Sequence, residues 1–86
     1  MVKIVQFGVV VLNDDTTSFQ RVISVFQDVF SWDITQSHNC ANIIHHKGEM
    51  VVKWFDHEKT ALYVAEVLRS RGLKTKIIID RNAEIN

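Results

Sequence analysis

The chain has 86 residues, 47% of them hydrophobic, which suits one small folded domain and excludes disorder. Ten Lys and Arg balance ten Asp and Glu, so neither a phosphate-driven nucleic-acid binder nor a polybasic membrane anchor is expected. A single cysteine, Cys40, has no internal partner for a disulfide and fits a reducing compartment.

In chain order, Lys3 to Leu12 reads as a strand. Val5, Phe7, Val9 and Val11 share one face, and Ile4, Val10 and Leu12 share the other. Gly8 on that second face marks a bulge or a close backbone approach. The strand runs directly into Asn13-Asp14-Asp15-Thr16-Thr17. Asn and Asp compete for the backbone and favour a turn. One acidic side chain suffices to cap a helix, so three acceptors in a row leave a surplus suited to a cation or an amine. Thr17 is the expected N-cap of a helix from Ser18 to Phe30, whose apolar residues recur at three, four and seven. Ser31 or Asp33 caps a second helix running to about Lys47, where Gly48 stops it. Glu49 to Phe55 is the second strand. Asp56 is the expected cap of a third helix through Arg71, closed by Gly72. Lys74 to Ile79 is the last strand, and Asp80 to Asn86 reads as a polar tail. The order is βααβαβ: an α+β fold with three helices packed on a small, mainly antiparallel three-stranded sheet. The domain is expected to occupy 1–86, with its core at about 5–80.

The chemistry-bearing residues admit several readings. Taken alone, Asn13-Asp14-Asp15 is an ordinary turn with a cap, and His45 an ordinary helix histidine. His38, Cys40, His45 and His46 invite a metal site, yet no Cys-x-x-Cys or His-Glu-x-x-His spacing is present, and none is expected. Cys40 as a nucleophile needs a base, and His45 five residues on points about 140° away around a helix, at about 100° per residue. Cys40 is therefore a small packing residue. Trp54 and Phe55 suit either the core or an exposed partner patch.

The Asn13-Asp14-Asp15-Thr16-Thr17 turn, the Ile44-His45-His46-Lys47-Gly48 segment and the βααβαβ order together resemble the ClpS family of adaptors for Clp AAA+ proteases. The resemblance runs from about Val5 to Asp80. It implies recognition of N-degrons, proteins whose first residue is Leu, Phe, Tyr or Trp. By that resemblance Asn13, Asp14 and His45 accept the substrate α-amino group, and Asp15 and Thr17 shape and cap the first helix. Phe19, Val22, Ala41 and Ile44 line the side-chain pocket. A free ammonium offers three donors, so three acceptors around it discriminate against an acetylated or internal nitrogen. His45 accepts only as the neutral imidazole, so binding is expected to weaken as pH falls through the histidine pKa.

Three features depart from the family. The first strand begins almost at Met1, where the family carries a flexible extension used in delivery. The Gly48 to Glu58 region is about three residues shorter than its counterpart, which together with the third helix start carries contacts to the unfoldase N-terminal domain. Phe19 stands where a flexible aliphatic residue is common, narrowing one wall, and Ala41 replaces a larger residue, opening another. The expected function is a non-enzymatic, cofactor-free, cytoplasmic (or stromal) monomer that binds N-degron peptides and delivers them to a Clp-type unfoldase. The alternative is a ClpS-like module that binds degrons or an unfoldase but has lost delivery. An enzyme using Asp14 and His45 as an acid–base pair lacks any visible nucleophile or cofactor motif. A ribosomal-stalk-like domain shares the general fold but not the Asn-Asp-Asp turn.

Overall fold

Residues 2–85 are described by the computed structural model; Met1 and Asn86, the ends of the expected 1–86 domain, lie outside them. Strand β1 (Val2–Leu12) is followed by helices α1 (Phe19–Phe30) and α2 (Ile34–Lys47). Strand β2 (Glu49–Phe55), helix α3 (Glu58–Ser70) and strand β3 (Lys74–Ile85) complete the chain. The sheet order is β2-β1-β3 with both pairings antiparallel. The expected α+β architecture is therefore the observed one.

The most apolar strand takes the centre of the sheet. Val9 and Val11 are buried against the helices with Val25, Phe26, Ile44, Val52 and Leu68. Val10, on the opposite face, is also fully buried. The cover there is local. Around Gly8, a Cβ would lie 2.9 Å from Trp54 Cζ3 and 3.0 Å from both Ile78 Cγ1 and Val51 Cγ1. Gly8 is thus a close approach: neighbouring side chains lean across it and seal the face that carries no helix. The register irregularity against β2 falls between Val9 and Val10, where Val52 is the extra residue. Trp54 and Phe55 divide as alternation requires. Phe55 packs on the core, whereas Trp54 is 40% exposed on the outer face.

Three boundaries differ from expectation, and one choice is decided. Ser18, not Thr17, caps α1, its hydroxyl accepting from Arg21 N–H at 3.1 Å. The Thr17 hydroxyl bonds elsewhere, as described below. Of the two expected caps of α2, Asp33 is the one used, accepting from Gln36 N–H at 2.7 Å. Ser31 instead takes a left-handed φ of 57° that ends α1. At α3 the cap position is His57 without a side-chain bond, so Asp56 does not cap it. Finally, Asp80 onward is no tail. Strand β3 runs on to Ile85, pairing Ile4 with Ala83, Lys3 with Glu84 and Val2 with Ile85 after an irregularity between Ile4 and Gln6. Backbone partners along the long β1 outweigh the weak strand preference of Asp80, Arg81 and Asn82.

Among the described residues, one buried side-chain polar atom has no partner: the hydroxyl of Ser37, fully buried on α2. An unpaired buried donor costs about 1–3 kcal/mol, so Ser37→Ala is expected to be neutral or to raise stability by about 1 kcal/mol in urea unfolding. A loss of stability would mean that the hydroxyl is bonded in solution.

Candidate functional site

Three chain junctions meet at one end of the sheet. Strand β1 ends at Leu12, which pairs with Glu49 at the start of β2 and with Lys74 at the start of β3. The β1–α1 turn, the α2–β2 turn and the α3–β3 turn are therefore neighbours. Backbone and hydroxyl bonds fasten them. Asn13 N–H donates to the Gly48 carbonyl at 2.8 Å. The Thr17 hydroxyl donates to the Gly72 carbonyl at 3.1 Å, tying the turn to the α3–β3 junction. Gly48 makes the tight junction possible. Its φ of 92° is left-handed, and its N–H closes α2 on the Ile44 carbonyl at 2.9 Å. His45, in the last turn of α2, is thereby brought beside the acceptor turn.

The junctions enclose a cleft of about 190 Å³. Its polar lining comes from Asn13, Asp14 and His45, with Asp15 and Thr17. Its apolar walls are Phe19 and Val22 from α1 and Ala41 and Ile44 from α2. All nine residues singled out in the sequence line this one cleft. Its volume is below the range of about 300–1,000 Å³ typical of drug-sized ligands, so it suits one residue-sized group.

Of the two carboxylates that line the cleft, Asp14 is the one held by side-chain and backbone bonds. Its Oδ1 accepts from Thr16 N–H at 3.0 Å and from the Thr16 hydroxyl at 2.9 Å. Those two bonds hold its carboxyl below the usual carboxylate range, and the Lys74 ammonium adds a smaller push in the same direction. The bonds' contribution to stability is thus present above the ordinary aspartate pKa and is lost as pH falls through the lowered one. The second oxygen, Oδ2, lies 3.7 Å from Lys74 Nζ.

Phe19 does more than narrow a wall. Its ring stacks on His45 at 6.3 Å between centroids, tilted by only 12°, and meets His38 at 5.2 Å. Phe19 therefore also packs against the His45 imidazole. Cys40 is buried, and burial pushes its thiol pKa up, which keeps it protonated and unreactive.

Two neighbours of the site were not singled out in the sequence. Leu73, 4% exposed, and Lys74 line a small adjoining recess that shares Asn13, Asp14, Thr17, Val22 and Ile44 with the cleft. Gly72 marked a helix end and Lys74 a strand start. The antiparallel pairing of β3 with β1 sets Lys74 opposite Leu12, next to Asn13 and Asp14.

The comparisons with known proteins follow this geometry. Residues 4–76 match the family described as "ATP-dependent Clp protease adaptor protein ClpS". A curated relative, the ATP-dependent Clp protease adapter protein ClpS of Pectobacterium carotovorum subsp. carotovorum (strain PC1), is 33% identical over 63 residues. That match covers 73% of this chain and 59% of the relative's length. The fold is similar to that of Agrobacterium tumefaciens ClpS2 bound to L-phenylalaninamide, with a TM-score of 0.71, 22% identity, and coverage of 87% of this chain and 96% of that one. No helix among the described residues is long and apolar enough to cross a membrane. The chain belongs to the ClpS family of ATP-dependent Clp protease adaptors.

Proposed function

We propose that this chain is a non-catalytic, monomeric adaptor that captures proteins by a free N-terminal amine bearing a large hydrophobic first residue and passes them to a Clp-type AAA+ unfoldase. One observation carries the proposal: Asn13, Asp14 and His45 line the same residue-sized cleft as Phe19, Val22, Ala41 and Ile44. The α-ammonium brings three donors to those acceptors, and the first side chain enters the apolar part. Full burial of a Leu or Phe side chain contributes about 1.5–3 kcal/mol. An acetylated end brings one donor and no charge, leaving acceptors unpaired. The printed description of the Agrobacterium ClpS2 structure, with bound L-phenylalaninamide, supports the same chemistry here.

Fluorescence-polarisation titration with peptides differing only in their first residue, each with an acetylated twin, tests the capture step. Leu, Phe, Tyr or Trp peptides with free amines are expected to bind and the acetylated twins not to. Equal binding of the twins would contradict the proposal. Asp14, held ionised by Thr16, keeps its charge as pH falls through the ordinary carboxylate range, so its part in binding is expected to persist there and to be lost only at more acid pH. His45→Ala removes an acceptor and is expected to weaken the free-amine peptides. Unchanged affinity in that variant would remove His45 from the site.

The connection between β2 and α3 favours a second reading, in which degrons are bound but not handed on. Only Asp56 and His57 join Phe55 to Glu58, in the region where the family contacts the unfoldase. Degradation assays with a Clp unfoldase and protease distinguish the readings: delivery accelerates loss of a Phe-initiated substrate, and capture alone does not.

A further inference from the structure

The two oxygens of Asp14 have different duties. Oδ1 is taken by Thr16 through a backbone and a hydroxyl bond at 3.0 and 2.9 Å. Oδ2 is the oxygen left for an incoming amine, and it already faces Lys74 Nζ at 3.7 Å. The exposures are unequal: the Asp14 side chain is 14% exposed and that of Lys74 67%. The acceptor is held and the cation is free to move. Lys76, two residues on, is committed to Glu49 at 3.1 Å. Among the described residues, Lys74 pairs with Asp14 alone.

We propose that Lys74 is a specificity-determining residue: its ammonium holds the amine-binding oxygen of Asp14 in the free protein, is released when an α-ammonium arrives, and so selects chains whose second residue carries a carboxylate. The inference rests on the capture reading given above. An α-ammonium at Oδ2 would place two cations beside one carboxylate. The exposed lysine withdraws at little cost, because exposed ion pairs are weak. It then stands beside Asp14, exposed and without a counter-ion. The ligand's second Cα lies about 3.8 Å from the carbon that bears the amine, so its side chain leaves the cleft close to that cation. A carboxylate there receives the released ammonium, a carboxamide is indifferent, and a lysine is repelled. The phenylalanine amide, with no second residue, meets only the competition for Oδ2.

The test titrates Phe-Glu, Phe-Gln and Phe-Lys peptides of otherwise identical sequence, an acetylated Phe-Glu control, and phenylalaninamide. The proteins are wild type, Lys74→Met and Lys74→Arg, each checked by thermal melting. In wild type the expected order is Phe-Glu over Phe-Gln over Phe-Lys, each step about 1.5- to 5-fold, the range of an exposed ion pair. The steps shrink as salt rises to about 1 M. Lys74→Met is expected to erase the order and tighten phenylalaninamide by a similar factor, while Lys74→Arg keeps the order. Acetylation-sensitive binding that ignores the second residue, or an order unchanged in Lys74→Met, overturns the role of Lys74 and leaves capture standing. Failure of every free-amine ligand to bind wild type overturns both.

Discussion

Asp14→Ala is expected to weaken binding of a Phe-initiated peptide by about tenfold to a hundredfold or more, the worth of a charge-assisted hydrogen bond lost from an enclosed site. On the proposed reading this carboxylate supplies the charge that meets the ammonium. Asp15 also lines the cleft but is exposed, whereas Asp14 is half-buried and held by Thr16. Asp14→Asn is the informative companion. It keeps an acceptor oxygen and the shape but removes the charge, and it adds N–H donors that face the ammonium unfavourably. Binding between that of wild type and Asp14→Ala is expected, together with a smaller dependence on salt. The turn is short and largely exposed, so both variants are expected to melt close to wild type. Calorimetric titration beside a melting curve checks this. An Asp14→Ala protein that is folded and binds as wild type would contradict the assigned role.

Phe26→Ala has the largest expected effect on stability. Phe26 is fully buried, 6.0 Å from Phe30 and 5.3 Å from Trp32 between ring centroids. These rings pin α1 to the turn that leads into α2. Removing a buried Phe side chain typically costs about 3–5 kcal/mol. A chain of 86 residues has only about 4–13 kcal/mol in total, at about 0.05–0.15 kcal/mol per residue. The variant is therefore expected to be partly unfolded at 37 °C and to lose ligand binding with its fold. Urea unfolding followed by circular dichroism reads the difference. A midpoint near wild type would mean that the cluster repacks around the vacancy.

The contrast between these residues explains what could be read in advance. The acceptor turn was legible because the sequence changes abruptly from Val-Val-Val-Leu to Asn-Asp-Asp, and side-chain chemistry decides such a boundary locally. The apolar walls were legible because α1 and α2 keep helical spacing, so Phe19 with Val22, and Ala41 with Ile44, fall on inward faces. Gly48 announced the stop that brings His45 to the turn. Other features were settled by tertiary partners. Thr17 and Ser18 are adjacent hydroxyls with similar capping ability, and Ser18 caps the helix while Thr17 bonds to Gly72. The polar run Asp80-Arg81-Asn82 becomes strand because β1 extends far enough to pair with it. Lys74 comes beside Asp14 through strand register. Composition could not reveal that its ammonium would sit 3.7 Å from that carboxylate.

The most direct measurement is an NMR titration of the isotope-labelled protein with phenylalaninamide and with N-acetyl-phenylalaninamide. The free amine is expected to shift the Asn13 and Asp14 backbone amides, the His45 ring protons and the Ile44 and Val22 methyls together, with one affinity. The acetylated compound is expected to leave them unmoved at the same concentration. Equal shifts from both compounds, or shifts confined to residues outside the cleft, would contradict an amine-gated hydrophobic pocket.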